Sequence, residues 1–276
     1  MKHFIVKIIG FYFNLLSVFS SKLAAKKALK LFSSPRKGKI TEKQSDFLNT
    51  AFREELSYND NAIMTYRWLG KNKTVLLAHG WESNSARWKT SIKALQKLNY
   101  GIITLDAPAH GNSGSKFFNA LLYAEFINIV IKKFDPNILI GHSVGGMASV
   151  FSHHRYSFSN IEKVILLGTP SELKGVFKRY VDMMSYNKRI EKQINKLVFE
   201  SFGKYPEDFS TAKFLENTTV KGLIIHDEKD PIIPYNDALL IHNSYINSDL
   251  ITTQNLGHSL NSNVVTNHIV AFINND

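Results

Sequence analysis

The chain has 276 residues, of which 44% are hydrophobic, so it is long enough for one large core and has the composition of an ordinary globular protein. It contains no cysteine, which excludes disulfides, a thiol nucleophile and thiolate metal sites. The net charge of +11 is uneven: residues 1–43 carry ten basic side chains and one acidic one, and the remaining 233 residues carry 24 basic and 22 acidic ones. Because the body is nearly neutral, we do not expect it to bind nucleic acid.

Residues 1–36 form a basic and apolar segment that we predict to be helical. Lys7 and Asn14 interrupt its apolar run, which is therefore shorter than the ~20 residues that a spanning helix needs. The pattern leaves three interpretations open: a helix packed on the body, a helix on an anionic membrane surface, or a signal peptide or anchor. Lys26 and Lys27 disfavour export, so we expect a cytoplasmic protein that could associate with a membrane surface.

Strands and helices alternate from residue 62 onward. The almost continuous apolar run at residues 74–79 is typical of a strand that is buried on both faces of a parallel sheet. The rhythm predicts an α/β domain over residues 37–276, with a mostly parallel sheet and helices on both of its faces. The predicted strands are 62–68, 74–79, 101–106, 136–141, 161–168, 220–226 and 250–254, and the predicted helices are 84–98, 118–134, 144–155 and 262–274.

One interval, residues 171–218, breaks this rhythm. It lies between two predicted strands, is too long for a simple crossover, and is rich in aromatic residues and methionine. Structureless connections of this length are uncommon in compact domains, so we predict a helical lid inserted after the strand at 161–168, which is the sixth strand of the fold. The alternative is a single amphipathic crossover helix with a long loop.

A serine lies at a sharp predicted turn, in the sequence Gly141-His142-Ser143-Val144-Gly145. A buried strand is predicted just before this G-x-S-x-G pattern and a helix just after it. Small neighbours allow the strand and the helix to approach closely, and the turn would lift the Ser143 hydroxyl to the start of a helix. Backbone N–H groups there favour developing negative charge, so the pattern predicts a nucleophile.

With this turn, residues 74–276 resemble the α/β-hydrolase superfamily, and in particular its lidded esterase and lipase-like members. The resemblance rests on five places in the family's order, one of which departs from the pattern because Ala109 replaces the usual glycine. These places are Ala78-His79-Gly80-Trp81, the turn from Asp106 to Ser113, the Ser143 turn, the run from His226 to Pro234, and Leu256-Gly257-His258-Ser259.

The resemblance implies a site. Ser143 would be the nucleophile, His258 its base and Asp230 the acid that orients the base, in the chain order of this fold. The backbone N–H groups of Trp81 and Val144 would form the oxyanion hole. Asp227 and Glu228 compete with Asp230 for the role of the acid, whereas structural roles are expected for His79, Asp106 and His110. His268 is expected to face solvent on the last helix, and His142, His153, His154 and His242 are interpreted as ordinary helix or turn residues.

The function that the resemblance implies is hydrolysis of a small carboxylic ester, which could be lipid-like, through an acyl-enzyme. An acyltransferase, a thioesterase or a peptidase would use the same residues, and a non-catalytic binding protein on the same fold is a further alternative. No cofactor is expected. We also expect no metal, because neither His153-His154 nor the run from His226 to Glu228 has a recognisable ligand spacing.

Overall fold

The computed structural model describes residues 2–275, and its eight strands form one sheet. The order across the sheet is β1-β2-β4-β3-β5-β6-β7-β8. The pairs β1/β2 and β2/β4 are antiparallel and the other five pairs are parallel. The strands are β1 Phe52–Tyr58, β2 Asn61–Trp68, β3 Asn72–Ala78, β4 Tyr100–Leu105, β5 Ile138–His142, β6 Lys163–Leu167, β7 Lys221–Asp227 and β8 Ser248–Thr253.

Eleven α-helices accompany the sheet within the described residues. The insertion begins after the sixth strand, as predicted, and it is helical. The helices are α1 Lys2–Phe19, α2 Ser21–Ser33, α3 Glu42–Leu48, α4 Lys89–Lys97, α5 Ala120–Phe134, α6 Val144–Tyr156, α7 Leu173–Met184, α8 Lys188–Phe202, α9 Thr211–Phe214, α10 Tyr235–Ser244 and α11 Asn263–Asn274.

The central strands are buried on both faces, which explains why they read as continuous apolar runs. In β3, for example, Val75 and Leu77 belong to the cluster that includes Ile92 of α4 and Ile269 of α11. Leu76 points to the opposite face because side chains alternate along a strand, and it is also fully buried. The predicted α/β architecture with a mostly parallel sheet is therefore confirmed.

Three elements were absent from the predictions: β1, α3 and α10. Strand β1 pairs with β2 through a turn at Asn59 and Asp60, both with positive φ (45° and 62°). It lies at the edge of the sheet, its sequence contains three consecutive charged residues, and most of its residues are exposed. Such an edge strand lacks the apolar run that marks the buried strands.

The chain separates into two compact units. A sheet unit comprises Pro35–Ser171 and the residues from Thr211 onward, and a helical unit comprises the residues up to Ser34 together with Glu172–Ser210. The predicted lid, residues 171–218, thus contributes α7 and α8 to the helical unit and α9 to the sheet unit. No helix among residues 2–275 is both long enough and apolar enough to cross a membrane.

In the helical unit, α1 and α2 pack against α7 and α8. Asn14 on α1 donates a hydrogen bond to Ser185 O (2.8 Å) and accepts one from the Asn187 backbone N–H (2.8 Å). The phenol of Tyr180 donates to Ala28 O on α2 (2.9 Å). The N-terminal helices and the inserted helices therefore form one packed body.

Candidate active site

Ser143 lies at the turn between β5 and α6, in a backbone conformation that side chains seldom adopt. Its φ and ψ are 53° and −128°. A Cβ on Gly145 would overlap the carbonyl oxygens of Ala78 and His79, and one on Gly141 would overlap the backbone of Gly146. Only glycine at both positions allows strand and helix to approach this closely, so the sequence around Ser143 dictates the sharp turn.

The structure brings Ser143 and His258 together although 114 residues separate them in the chain. The Ser143 hydroxyl donates to His258 Nε2 (3.0 Å), and His258 Nδ1–H donates to Asp230 Oδ2 (2.7 Å). Loops after β8 and β7 carry His258 and Asp230, and both strands end at the same edge of the parallel sheet as β5. The three residues predicted from the sequence therefore form one continuous hydrogen-bonded chain.

Four donors keep the Asp230 carboxyl ionised. Burial raises its pKa, but hydrogen bonds from His226, from His258 and from the backbone N–H groups of Ile233 and Ile232 outweigh burial and hold the pKa well below its usual range. Ionised Asp230 can fix the tautomer of His258 with its proton on Nδ1, which leaves Nε2 free to accept a proton from Ser143.

Two histidines near this chain were not predicted as part of it. His226 Nε2–H lies 2.9 Å from Ile233 O and 3.4 Å from Asp230 Oδ2, so it braces the loop that carries Asp230. His142, the last residue of β5, donates from Nε2 to His258 O (2.8 Å). Each lies at the end of an apolar strand, which was the available sequence signal. The partner of His142 comes from a distant loop, and the partners of His226 come from the loop that follows β7.

The two competing carboxylates have other partners. Asp227 is buried and accepts hydrogen bonds from the backbone N–H groups of Leu256 (2.8 Å) and Lys229 (3.1 Å) and from the Thr253 hydroxyl (3.0 Å). It thus ties the loop after β7 to the loop after β8. Glu228 is exposed and accepts from Gln254 (3.0 Å). Of the three carboxylates, Asp230 alone is hydrogen-bonded to His258.

Two backbone segments approach the nucleophile from the sites predicted for an oxyanion hole. Gly80 lies so close that an added Cβ would be 3.0 Å from Ser143 Cβ, and Trp81 is the next residue in the chain. Val144 is the first residue of α6, where backbone N–H groups have no acceptor within the helix. An anionic oxygen beside Ser143 would be favoured at this helix start.

The turn that begins at Asp106 supports the loop of the site that carries Trp81. Asp106 is fully buried and accepts from the backbone N–H groups of Ser85 (2.9 Å) and Asn112 (2.9 Å) and from the Tyr66 hydroxyl (3.1 Å). Burial outweighs these bonds and raises the pKa of Asp106. His79 Nε2 accepts from the Ala107 N–H (2.9 Å), so this histidine joins the turn to the loop of Trp81.

Ala109 and His110 complete this turn. His110 Nε2 accepts from the Glu82 N–H (3.0 Å), and its Nδ1–H donates to Pro108 O (2.8 Å). Ala109, which replaces the family's usual glycine, has a φ of +64°, in the left-handed region that favours glycine. These contacts are the structural roles expected for His79, Asp106 and His110. Among residues 2–275, no group of three acidic or histidine side chains could hold a metal ion.

The sheet order, the strand–turn–helix at Ser143 and the bonded Ser, His and Asp define the α/β-hydrolase class of fold. A family model described as "alpha/beta hydrolase fold" matches residues 73–220, and the chain belongs to this family.

Relatives and solved structures agree with this assignment. The chain is 22% identical over 231 residues to the AB hydrolase superfamily protein YisY of Bacillus subtilis, covering 69% of this chain and 86% of that protein. It is 27% identical over 95 residues to a putative esterase/lipase 2 of Mycoplasma genitalium, covering 33% and 35% of the two chains. The structure of an esterase from Exiguobacterium antarcticum is similar in fold, with a TM-score of 0.62, 19% identity and coverage of 80% and 99%.

Proposed function

We propose that this protein is a serine hydrolase that cleaves carboxylic esters through an acyl-enzyme on Ser143. The observation that carries the proposal is the continuous chain from Ser143 Oγ through His258 to Asp230, with distances of 3.0 Å and 2.7 Å. A nucleophile, a base within hydrogen-bond reach and a third group that orients the base are the parts that nucleophilic catalysis by serine requires.

In the first half-reaction, Ser143 Oγ attacks the acyl carbonyl carbon while His258 Nε2 takes the hydroxyl proton. The carbonyl oxygen becomes an oxyanion, for which the backbone N–H groups of Trp81 and Val144 are the proposed donors. Asp230 stabilises the imidazolium of His258. The C–O bond to the leaving group then breaks, and His258 returns the proton to the departing alcohol.

In the second half-reaction, water attacks the acyl-enzyme. His258 removes a proton from the water, a second tetrahedral intermediate forms, and the carboxylic acid leaves as Ser143 Oγ regains its proton. Side chains and backbone N–H groups of this chain supply every group in the cycle.

Two lines of support favour an ester as the substrate. Two of the similar proteins, the mycoplasmal protein and the protein from Exiguobacterium antarcticum, are named as esterases. The predicted lid, residues 171–218, is rich in aromatic residues and methionine. Such a composition favours an apolar or lipid-like ester as the substrate. Acyl transfer, thioester cleavage and peptide cleavage are alternatives that would use the same residues. Non-catalytic binding is the alternative that the following experiment separates from serine catalysis.

The proposal is tested by labelling the protein with a fluorescent fluorophosphonate and by following turnover of p-nitrophenyl butyrate. The wild type and the variants S143A and H242A are compared. His242 is the matched control because it is half-buried on α10, where its Nδ1 is hydrogen-bonded to Ser248 Oγ (3.0 Å), outside the predicted site. Labelling and turnover should both vanish in S143A and persist in H242A. A folded wild-type protein that neither reacts with the probe nor turns over esters would overturn the proposal in favour of non-catalytic binding.

A further inference from the structure

Helix α1 places Asn14 and Ser17, together with the buried Phe13, on its inner face. Its buried face contains Gly10, whose Cα lies against the backbone carbonyl of Met184, so that any larger side chain would overlap it. Asn14 exchanges two hydrogen bonds with the turn after α7, and the Ser17 hydroxyl accepts from Asn187 Nδ2 (2.9 Å). These contacts fix the rotation of α1 about its own axis.

The opposite face of α1, which we call the outer face, is apolar and exposed. At 100° per residue its members fall within about 140° of arc, which is one continuous stripe along the helix. The exposed fraction reaches 71% at Phe11 and 83% at Phe19. The outer face consists of Ile5, Ile8, Phe11, Tyr12, Leu15, Val18 and Phe19, and the exposed Lys7 flanks it.

An ordinary surface helix buries its apolar stripe and exposes its polar one. Helix α1 instead leaves an apolar stripe exposed, while its inner face combines the buried Phe13 with polar groups. Within the helical unit, the outer face cannot be buried by rotating α1, because the rotation would break the bonds of Asn14 and Ser17. The stripe is also larger than the scattered apolar side chains of a normal surface, and contiguous patches of this kind mark an interaction site.

The charge of residues 1–34, which contain α1 and α2, indicates what covers the outer face. Residues 1–34 contain six lysines and no acidic residue. In α2, Lys26 and Lys27 are exposed, on the side away from the buried alanines Ala24, Ala25 and Ala28. An apolar stripe beside a cationic one matches the boundary between acyl chains and anionic head groups.

We propose that the outer face of α1 and the lysines of α2 dock the protein on the surface of an anionic phospholipid bilayer. The helix would lie in the plane of the interface with its apolar face buried about 5–10 Å deep, and it would not span. A second copy of the chain is a poorer occupant, because pairing two outer faces would bring two lysine-rich segments together. The proposal does not depend on the proposed catalysis.

The experiment is co-sedimentation of the full chain with vesicles of phosphatidylcholine and phosphatidylglycerol in equal amounts, and with vesicles of phosphatidylcholine alone. The test variant is F11S/F19S, on the outer face. The matched control is F52S/I246S, which removes two apolar side chains with exposed fractions of 61% and 89% from the sheet unit. A third variant, K26Q/K27Q, removes charge and leaves the outer face intact. Circular dichroism checks that each variant folds.

The wild type and F52S/I246S should bind the anionic vesicles equally well. F11S/F19S should bind at least tenfold more weakly, from the loss of buried apolar area, and K26Q/K27Q roughly tenfold more weakly, from the loss of attraction to head groups. Absence of wild-type binding, or equal binding by F11S/F19S, would overturn the proposal. So would a dimer in solution that F11S/F19S dissolves, because the outer face would then be covered by a second copy.

Discussion

The side chain of His142 donates a hydrogen bond from Nε2 to the backbone carbonyl of His258, at 2.8 Å. His142, which precedes the proposed nucleophile Ser143 in the chain, thus fixes the position of the His258 backbone. Arg87 adds a second support, because its Nη2 donates to Ser259 O (2.8 Å). The base is therefore located by its neighbours in space as well as by its bonds to Ser143 and Asp230.

We expect H142L to lower kcat/KM for p-nitrophenyl butyrate by about 10- to 100-fold, because misplacing a reacting group by an ångström has effects of that size. H142Q should recover much of the loss, since the glutamine amide can donate to the same carbonyl. Steady-state kinetics of both variants, with H242L as the matched control, provide the measurement. Equal activity of H142L and wild type would show that this bond does not position His258.

The two neighbouring aspartates should respond differently to the same substitution in their activity. D230N should reduce kcat by about 10³- to 10⁴-fold, because an amide favours the wrong tautomer of His258, and it should also lower the free energy of unfolding, because it weakens the hydrogen bonds to the carboxylate. D227N should keep most activity but lower the free energy of unfolding by about 1–3 kcal/mol, since it weakens three buried hydrogen bonds. Ester turnover distinguishes the two variants and urea denaturation measures the loss of stability in each, and a reversed pattern of activity would assign the acid to Asp227.

Stability should fall as the pH is lowered from neutral. Burial lowers the pKa of His142, helped by the charge of Arg87, and burial likewise lowers that of His79, in both cases well below the ordinary 6.5. Below pH 6.5 the unfolded chain therefore binds protons that the folded chain does not. The stabilisation is complete above pH 6.5 and is lost as the pH falls, with a slope of up to ~1.4 kcal/mol per pH unit for each histidine.

The variant H142Q isolates one of these histidines, because glutamine does not titrate. Urea denaturation between pH 5 and pH 7.5 should give a shallower pH dependence for H142Q than for wild type, by about one bound proton. If the slope of H142Q matches that of wild type, His142 is protonated alike in the folded and unfolded states.

Ala109 offers a stabilising substitution. Its φ of +64° is strained for alanine and natural for glycine, so A109G should raise the free energy of unfolding by about 1 kcal/mol. The matched control is A148G in the interior of α6, where the same exchange adds chain entropy and opens the core and should be destabilising. Thermal denaturation gives both values, and a lower melting temperature for A109G would contradict the prediction.

Much of the fold can be predicted from the sequence because the central strands are buried on both faces. A run such as Val75-Leu76-Leu77 fits few other structures, and its length limits it to one strand. The edge strand β1 has no such signal, since its pairing with β2 depends on the turn at Asn59 and Asp60 and on backbone bonds. Chain order and turn residues likewise predict Ser143, Asp230 and His258, which the structure brings within hydrogen-bond distance.

The sequence does not predict how segments pair through polar groups that meet only in the folded chain. His142 and His226 have no periodic pattern, and their partners become visible only when the loops after β7 and β8 are folded. The packing of α1 is a second example. An apolar helix of this composition suggests a buried apolar stripe, whereas Asn14 and Ser17 fix its orientation by bonding to the turn after α7.

The backbone of Ser143 has a consequence for how selection acts on this chain. A non-glycine residue at φ 53° and ψ −128° costs on the order of 1–3 kcal/mol, and S143G should remove most of that strain. An inactive S143G protein should therefore be more stable than the wild type. A chain selected for binding alone would gain stability from glycine at this position, whereas the proposed nucleophile requires the serine and its cost in stability.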